Sequence, residues 1–524
     1  MGVWDHVVAG FLAVLQSDPV LGIPIVLLMV LLGFLLGITV GATPGLAGPM
    51  AMAISLPILI SIFGYSADAL LPVLGFLIGI MKGATIGGAV PAILFNTPGT
   101  PDAFMTTLDG YPMAQKGEAR RALRIAHFSS ASGDTFSDIV LVVCAPFLAI
   151  LVERYLDLPE KTALLILSLA FIASVIGNSV GKGIISMGLG LLAAMIATGE
   201  DFYPRLTLNQ PALAEGIPIA AAILGVLILG EVFKALEDIY RGEAQAKPPE
   251  QTNVQGGAKS KDLRRLIPTI GRSAIIGTCI GALPGVGSTL AATLGYTSAK
   301  RRHANRPDAN SPAFGEGAPE GIAATEAANS SVSGANLIPV LSLGIPGNAA
   351  AVFLILAMDS IGGFNPGPSV FQLGGGINEG ALNPEMVMAF GIFTTMFIAN
   401  GLNWTIGGIF MRWVGVMTRI PKARLLPIVL LLTLTAIYVQ ETSMVAVWIT
   451  LFFGFLGYVM RRIRMSPLPF VIAFILGGNL EATARQAFAA TGADPFFLFN
   501  SPIAFVFMAL AIGVVAFNLR KPVS

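Results

Sequence analysis

The chain has 524 residues, of which 54% are hydrophobic and only 12% are charged, and its formal net charge is +1. Because soluble domains carry about 25% charged residues, this composition predicts a polytopic membrane protein. So small a net charge leaves no extended basic face for nucleic acid. The two cysteines lie far apart in apolar sequence, which argues against a disulfide framework or a thiolate metal site.

Apolar segments long enough to cross a bilayer core of about 30 Å recur along the whole chain. The N-terminal segment lacks a basic region and a small-residue cleavage site, so we predict an amphipathic or partly buried opening helix and no signal peptide. The predicted crossings are residues 20–40, 69–94, 125–151, 161–178, 184–199, 216–233, 263–283, 387–412, 425–440, 443–460, 468–480 and 500–518.

One clear hydrophilic stretch, residues 237–266, divides the apolar segments into two nearly equal parts. This division suggests a duplicated unit. We therefore predict a first membrane repeat over residues 1–236, a cytoplasmic linker over 237–262 and a second membrane repeat over 263–524.

The two predicted repeats share short sequence patterns built around Pro-Gly pairs. VGATPGLAG at 40–48 resembles IGALPGVGS at 280–288, and LFNTPGTPDAF at 94–104 resembles SLGIPGNAAAV at 342–352. A single Pro-Gly pair in an apolar segment is a weak signal, since Gly and Pro are frequent in membrane helices. Four pairs in matching positions predict interrupted helices with a shared purpose.

Basic residues indicate that the repeats have opposite orientations in the membrane. Lys and Arg accumulate in short cytoplasmic loops. Residues 115–124 are basic whereas the matching stretch 362–386 has no Lys or Arg, and residues 300–306 are basic whereas 61–69 are not. Placing 115–124 in the cytoplasm puts the linker, the later basic loops and the C-terminus there as well. We therefore predict an all-α fold with two inverted-topology repeats, discontinuous helices and re-entrant hairpins.

Polar residues surround the Pro-Gly pairs, which predicts a binding site. A helix N-terminus offers about half a positive charge and free N–H donors to a carboxylate. Unwound carbonyl and hydroxyl oxygens can coordinate Na⁺, and secondary transporters bind substrate and ions at such interruptions. The alternative is that the pairs only kink or end helices. The candidate substrate-binding residues are Thr43, Pro44, Gly45, Asn96, Thr97, Pro98, Gly99, Thr100, Pro284, Gly285, Ser288, Thr289, Pro346, Gly347 and Asn348.

Charged residues inside apolar segments are further candidates. Lys82 could balance an anionic substrate, or instead reach an interface or pair with an acid such as Asp134. Asp134 and Asp138 share a helix face that could point to the hairpins. Glu326 could bind a cation or a proton, or lie at a helix end. The coupling-ion candidates are Thr43, Asn96, Ser288, Glu326, Asn329 and Asn348.

Enzyme motifs are missing from the sequence. PGVGSTL has no third Gly in place, and GATPGLAG lacks the Gly-Lys-Ser/Thr ending of a phosphate loop. We therefore expect a protein that is not an enzyme and that needs no cofactor apart from Na⁺ as a coupling ion.

Three longer stretches, residues 87–123, 281–296 and 315–348, resemble the large membrane subunit of tripartite tricarboxylate transporters. The resemblance covers nearly the whole chain. It implies a binding-protein-dependent secondary transporter of the bacterial inner membrane that imports carboxylates, driven by a Na⁺ or proton gradient. Its implied partners are a small membrane subunit of about four helices and a periplasmic solute-binding protein.

The resemblance also implies which residues form the binding hairpins, and it implies an elevator-like motion. The implied hairpin residues are 43–46, 96–100, 284–289 with Gly287 among them, and 344–348. One departure from the family pattern is Met81-Lys82-Gly83-Ala84, where an aromatic-glycine pattern is expected. An extra cation there could change the substrate preference.

Two other classes of function compete with the importer. One is an ion-independent organic-anion channel or facilitator, which would show substrate flux without ion dependence. The other is a membrane scaffold or receptor with no transport of its own. Asp102, whose counterpart in the second repeat is Ala350, is expected to lie outside the shared site.

Overall fold

The computed structural model describes most of the chain. Within the described ranges the secondary structure is helical, apart from one isolated bridge between Ser17 and Pro24. Pro44, Gly45 and most of the predicted linker lie outside these ranges. The described residues are 2–17, 22–43, 46–176, 179–197, 216–241, 260–305, 312–362, 364–372, 382–411 and 422–519.

The α-helices below lie within the described ranges. In chain order they are α1 (Val3–Leu15), α2 (Ile25–Gly41), α3 (Gly48–Phe63), α4 (Ala67–Phe95), α5 (Phe104–Met113), α6 (Ala119–Tyr155), α7 (Leu158–Val175), α8 (Val180–Ala197), α9 (Ile219–Leu224), α10 (Gly230–Tyr240), α11 (Ser260–Gly281), α12 (Gly287–Asn305), α13 (Pro319–Ala335), α14 (Leu337–Leu343), α15 (Ala349–Ile361), α16 (Pro384–Leu402), α17 (Lys422–Glu441), α18 (Met444–Arg462), α19 (Leu468–Ala490), α20 (Phe497–Asn500) and α21 (Pro502–Leu519). Short 3₁₀ segments lie at Pro101–Ala103 and Pro368–Phe371, and π-helical turns lie at Ala114–Glu118, Gly225–Leu229 and Asn403–Gly407.

Among the described residues, seven helical stretches are long and apolar enough to cross a membrane. The prediction of a helical, polytopic membrane protein is thereby confirmed. Five of the predicted crossings correspond to helices that are not among the seven, namely 20–40, 184–199, 263–283, 425–440 and 468–480. The seven stretches are Ala67–Phe95, Pro101–Tyr155, Leu158–Val175, Ile219–Tyr240, Pro384–Met411, Met444–Arg462 and Pro502–Leu519.

The chain forms two compact units, and each combines segments from both sides of the hydrophilic linker. The first unit comprises Met1–Ala149 and Ala246–Arg424. The second comprises Ile150–Gln245 and Leu425–Ser524. Every described residue that was predicted for the site belongs to the first unit.

Closely packed helix pairs form the first unit. A Cβ atom added to Gly37 of α2 would lie 2.8 Å from Ile80 Cα, and one added to Gly83 of α4 would lie 2.8 Å from Ile38 N, so neither position has room for a side chain. Small residues allow such close approach of helix backbones in membranes. The glycines at this α2–α4 contact are Gly33, Gly37, Gly41, Gly79, Gly83 and Gly87.

The matching helices of the second half, α11 and α13, pack in a similar way. A Cβ atom added to Gly277 would lie 2.8 Å from Ala328 C, and one added to Gly281 would lie 2.9 Å from Val332 Cα. The same kind of helix contact therefore occurs once in each half of the sequence, next to the predicted hairpins.

In the second unit, an arginine closes a π-helical turn. The Arg461 guanidinium of α18 donates to the carbonyl oxygens of Val226, at 2.7 Å, and Leu227, at 2.8 Å. It also pairs with Glu231 at 2.7 Å. These bonds attach α18 to the π-helical turn.

Candidate functional site

A cavity of about 210 Å³ lies within the first unit, and segments next to all four Pro-Gly pairs reach it. Its walls come from the start of α3, the middle of α4, the turn before α5, the start of α12, the second half of α13 and the start of α15. The lining residues are Ala47, Gly48, Pro49, Met81, Ala84, Thr85, Thr100, Pro101, Asp102, Ser288, Asn329, Val332, Ser333, Asn336, Asn348 and Ala350.

Corresponding positions of the two halves line the cavity in pairs. The alignment of LFNTPG with SLGIPG, extended toward the N-terminus, places the middle of α4 opposite the second half of α13 in sequence. The matched lining pairs are Met81 with Asn329, Ala84 with Val332, Thr85 with Ser333, Thr100 with Asn348, and Asp102 with Ala350. Aligned positions from both halves of the sequence therefore line one cavity.

Three helices of full length begin at the cavity. α3 starts at Gly48, α12 starts at Gly287 and α15 starts at Ala349, and residues at each start line the wall. The first N–H groups of a helix lack intrahelical partners and carry partial positive charge. Among the described lining residues none is Lys or Arg, and Asp102 is the one charged side chain. The positive potential here therefore comes from the backbone.

Several buried polar atoms at the cavity have no hydrogen-bond partner. Asn329 is 3% exposed, and neither its Oδ1 nor its Nδ2 is paired. Thr100 Oγ1 and Asn336 Nδ2 are also buried and unpaired. Because leaving a buried polar group unpaired costs about 1–3 kcal/mol, native structures normally satisfy such groups. All three residues line the cavity, which points to a polar ligand.

The two interruptions of the second half are tied to each other. The Gly285 N–H donates to the Gly347 carbonyl oxygen at 2.8 Å. A Cβ atom on Gly347 would lie 2.6 Å from Asn336 Oδ1, so a side chain there would displace the Asn336 amide. Asn348 then caps α15, since its Oδ1 accepts the Ala351 N–H at 2.9 Å. These contacts hold Asn336 and Asn348 on the same cavity.

Asn96 does not line the cavity, because it ends a helix. It adopts the left-handed conformation with φ 51° at the C-terminus of α4, where it is exposed. Gly344 has φ 69° at the matching end of α14. The next N–H donates to Pro91 O at 3.3 Å in one case and to Pro339 O at 3.2 Å in the other. The same turn therefore ends both helices, and its conformation explains Asn96.

The structure places the predicted site residues in two groups. Thr100, Ser288, Asn329 and Asn348 line the cavity. Thr43 and Thr97 instead donate their hydroxyls to nearby backbone carbonyls, as in the alternative in which such residues satisfy kinks. The other described residues predicted for the site that are not in the lining are Lys82, Pro98, Gly99, Pro284, Gly285, Gly287, Thr289, Glu326, Pro346 and Gly347.

Asp102 is expected to lie outside the shared site, but the structure places it in the cavity wall. Its Oδ1 accepts a hydrogen bond from the Thr289 hydroxyl at 2.6 Å. Sequence comparison discounted Asp102 because its counterpart, Ala350, has no polar group. Ala350 lines the same cavity, and extending the alignment along both repeats would have found the two positions together.

Lys82 is fully buried in an ion-paired cluster and does not line the cavity. Its Nζ lies 3.2 Å from Asp134 Oδ1 and 2.7 Å from Asp138 Oδ2. Asn400 Nδ2 donates to Asp138 Oδ2 at 2.7 Å, and the Ser333 hydroxyl donates to Asp134 Oδ1. The alternative of pairing with an acid therefore describes Lys82, and its charge is already balanced. Ser333 links this cluster to the cavity.

Glu326 lies in the middle of α13, which corrects the alternative that places it at a helix end. It is fully buried, and its Oε1 contacts the Thr106 hydroxyl of α5. Its Oε2 has no hydrogen-bond partner. Glu326 is therefore a carboxyl group beside the cavity, one helical turn before Asn329.

These features define a helical, multi-pass membrane protein with a polar cavity lined by segments from both halves of the sequence. The chain belongs to the tripartite tricarboxylate transporter TctA family, whose profile matches residues 27–472. This confirms the resemblance found in the sequence. Proteins of this family are the large subunits of tripartite tricarboxylate transporters.

Two relatives come from Agrobacterium vitis. An uncharacterized 52.8 kDa protein in the TAR-I ttuC' 3' region is 31% identical over 439 residues, which are 82% of each chain. An uncharacterized protein in the TAR-II ttuC' 3' region is 30% identical over 247 residues, which cover 46% of this chain and 93% of that relative. No solved structure matches the chain.

Proposed function

We propose that this chain is the transmembrane subunit of a binding-protein-dependent secondary transporter that imports di- or tricarboxylates or related organic acids. The observation that carries the proposal is the cavity, where three helix N-termini meet unpaired amide and hydroxyl groups without a Lys or Arg in the described lining. Backbone N–H groups at helix starts suit carboxylate oxygens. A cavity of about 210 Å³ suits a small acid, since drug-sized ligands occupy about 300 Å³ or more.

Transport would be driven by a Na⁺ or H⁺ gradient. Hydroxyl and amide oxygens of the kind found at Ser288, Asn329 and Asn348 are ligands that hard cations accept. The paired contributions of the two halves support inverted repeats and an elevator-type exchange of the cavity between the two sides of the membrane.

The partners proposed for this subunit follow from its family. They are a small membrane subunit of about four helices and a periplasmic solute-binding protein that delivers the substrate. The family supports a location in the bacterial inner membrane. The distribution of basic loops supports a cytoplasmic C-terminus.

Uptake by the three-component system reconstituted in proteoliposomes tests the proposal. A panel of carboxylates is offered with a Na⁺ gradient, with a pH gradient and with neither. We expect at least one acid to accumulate against its concentration gradient under one of the two ion gradients. Equal flux under all conditions, which never exceeds equilibration, would instead identify a channel or facilitator.

A matched pair of variants connects the transport to the cavity. Asn329→Leu removes the unpaired amide from the wall and is expected to reduce uptake at least tenfold, because about 1.4 kcal/mol of lost binding corresponds to that factor. Asn518→Leu makes the same change on α21, where the amide donates to Val514 O at 3.0 Å, and uptake should persist. Wild-type uptake by Asn329→Leu would remove the cavity from the proposal.

A further inference from the structure

The side chain of Glu326 is buried without a cation to balance a negative charge. It is 0% exposed, and none of the ion pairs among the described residues includes it. An isolated ionised carboxylate in a medium of low dielectric constant is so costly that such groups normally bind a proton. Burial alone therefore favours the neutral carboxyl form of Glu326.

Several charged groups on the neighbouring helices have partners other than Glu326. Asp102, in the cavity wall, adds a like charge that further disfavours ionisation of Glu326. The Asp109 carboxylate of α5 accepts hydrogen bonds from the N–H groups of Gly315, Gly317 and Ala318 and from the Tyr296 hydroxyl of α12. Lys82 of α4 pairs with Asp134 and Asp138 of α6. Arg265 of α11 pairs with Glu320 of α13, and Arg272 of α11 donates to the Thr269 hydroxyl.

The hydrogen bonds around Glu326 fit the protonated form. The Thr325 hydroxyl donates to Gly321 O at 3.0 Å, so its oxygen is free to accept from the Thr106 hydroxyl at 3.2 Å. Thr106 has one hydroxyl proton, so it can donate to Thr325 or to Glu326 Oε1 but not to both. While the Thr325 hydroxyl donates to Gly321 O, both contacts are hydrogen bonds at once when the carboxyl group supplies a second proton. A neutral Glu326 supplies that proton and completes a chain of donors ending at Gly321.

Loss of the proton would change this chain. An ionised Glu326 can only accept, so Thr106 would have to turn its proton from Thr325 to the carboxylate. Thr106 lies on α5, just after the cavity residue Asp102, and Glu326 lies on α13 with the cavity residue Asn329. The protonation state of Glu326 therefore acts on a contact between two elements that line the cavity from different repeats.

We propose that Glu326 is the proton-binding site of this transporter and that H⁺ is a coupling ion. Glu326 carries its proton in the structure described here, and it exchanges that proton with water in the transport cycle. The inference rests on the proposed carboxylate import, which it deepens by naming the ion and the residue that holds it.

Glutamine at position 326 mimics the protonated carboxyl, because its amide can donate to Thr106 but cannot release a proton. Glu326→Gln is therefore expected to keep exchange of labelled for unlabelled carboxylate within about twofold of wild type. Accumulation driven by a pH gradient should fall at least tenfold. Glu320→Gln, on the same helix but paired with Arg265 at 3.9 Å, is the matched control and should keep both activities.

An infrared measurement on the purified protein examines the proton without transport. The wild-type protein at neutral pH should show a protonated-carboxyl band that is lost in Glu326→Gln and in Glu326→Ala. The band should remain in Glu320→Gln.

The outcomes separate the two proposals. If Glu326→Gln accumulates substrate under a pH gradient as wild type does, or if the band is unchanged in both Glu326 variants, Glu326 is not the proton site, and carboxylate import stands. If the wild-type system neither exchanges nor accumulates any carboxylate, the proposed function fails, and the coupling role of Glu326 fails with it.

Discussion

The side chain of Asn348 has two tasks, since it caps α15 through its Oδ1 and lines the cavity. Aspartate caps a helix as well as asparagine does. Asn348→Asp should therefore keep α15 in place while adding a negative charge to a cavity proposed to bind anions. We expect carboxylate uptake to fall at least tenfold without loss of folded protein, measured by uptake and by thermal unfolding in detergent.

The matched control for this change is Ser443→Asp. Ser443 caps α18 by accepting the Val445 N–H at 3.2 Å. It belongs to the second unit, so Ser443→Asp adds a carboxylate at a helix start that is not part of the described cavity lining. Its uptake should equal that of wild type. Equal uptake by both variants would contradict a role for Asn348 in anion binding.

At the scale of single residues, sequence reasoning found the regions of the site better than its members. Pro-Gly pairs are recognisable because their backbone needs are strict, and they led to Thr100 and Asn348, which line the cavity. They could not distinguish these from Asn96, which lies as close to a pair but adopts a left-handed conformation. That difference depends on where the helix ends. Lys82 was ambiguous because its partners Asp134 and Asp138 are on another helix.

At the scale of helices, the contact between α2 and α4 gives a prediction about stability. A Cβ atom on Gly83 would lie 2.8 Å from the backbone of Ile38 and 3.1 Å from Gly37 Cα, so Gly83→Ala must separate the helices. Overpacking of this kind costs about 1–3 kcal/mol. We expect a lower unfolding temperature in detergent than for the wild-type protein.

Gly188 provides the matched control, because it lies within α8 and has no atom within 4 Å of its added Cβ position. Alanine is favoured over glycine in a helix by about 1 kcal/mol. Gly188→Ala should therefore leave the unfolding temperature unchanged or raise it. A drop of the same size in both variants would mean that α2 and α4 do not meet as closely as described.

Hydropathy was a good guide to helices and a poor guide to their continuity. The predicted crossing 69–94 corresponds to a single helix, α4, whereas its repeat counterpart is divided at Asn336 into α13 and α14. The segment of the second half that matches α4 has polar residues between Glu326 and Asn336. These residues lower its mean hydropathy below that of a typical membrane segment. They are buried nevertheless, because they face other helices and the cavity.

At the scale of the whole molecule, the chain order and the compact units do not coincide. Each unit contains one segment from before the linker and one from after it. Cleavage at a protease site inserted between residues 242 and 259 should therefore leave two fragments that stay together during purification in detergent. The uncut protein carried through the same steps is the reference.

Separation of the two fragments after cleavage, under conditions in which the uncut protein remains folded, would contradict this arrangement. The boundary that the sequence suggests, at the hydrophilic linker, separates the two predicted repeats. The compact units instead result from helix packing between segments that are far apart in the sequence. Such contacts cannot be predicted from local sequence patterns.

The lack of Lys and Arg in the described cavity lining has a consequence for the residence time of a bound anion. Fully charged guanidinium groups hold carboxylates through strong bidentate bonds. Helix starts and amides offer only fractional charge, so they bind the anion more weakly and it dissociates faster. Such a wall favours rapid release over tight capture, and in the proposed assembly tight capture at low concentration is the task of the soluble binding protein.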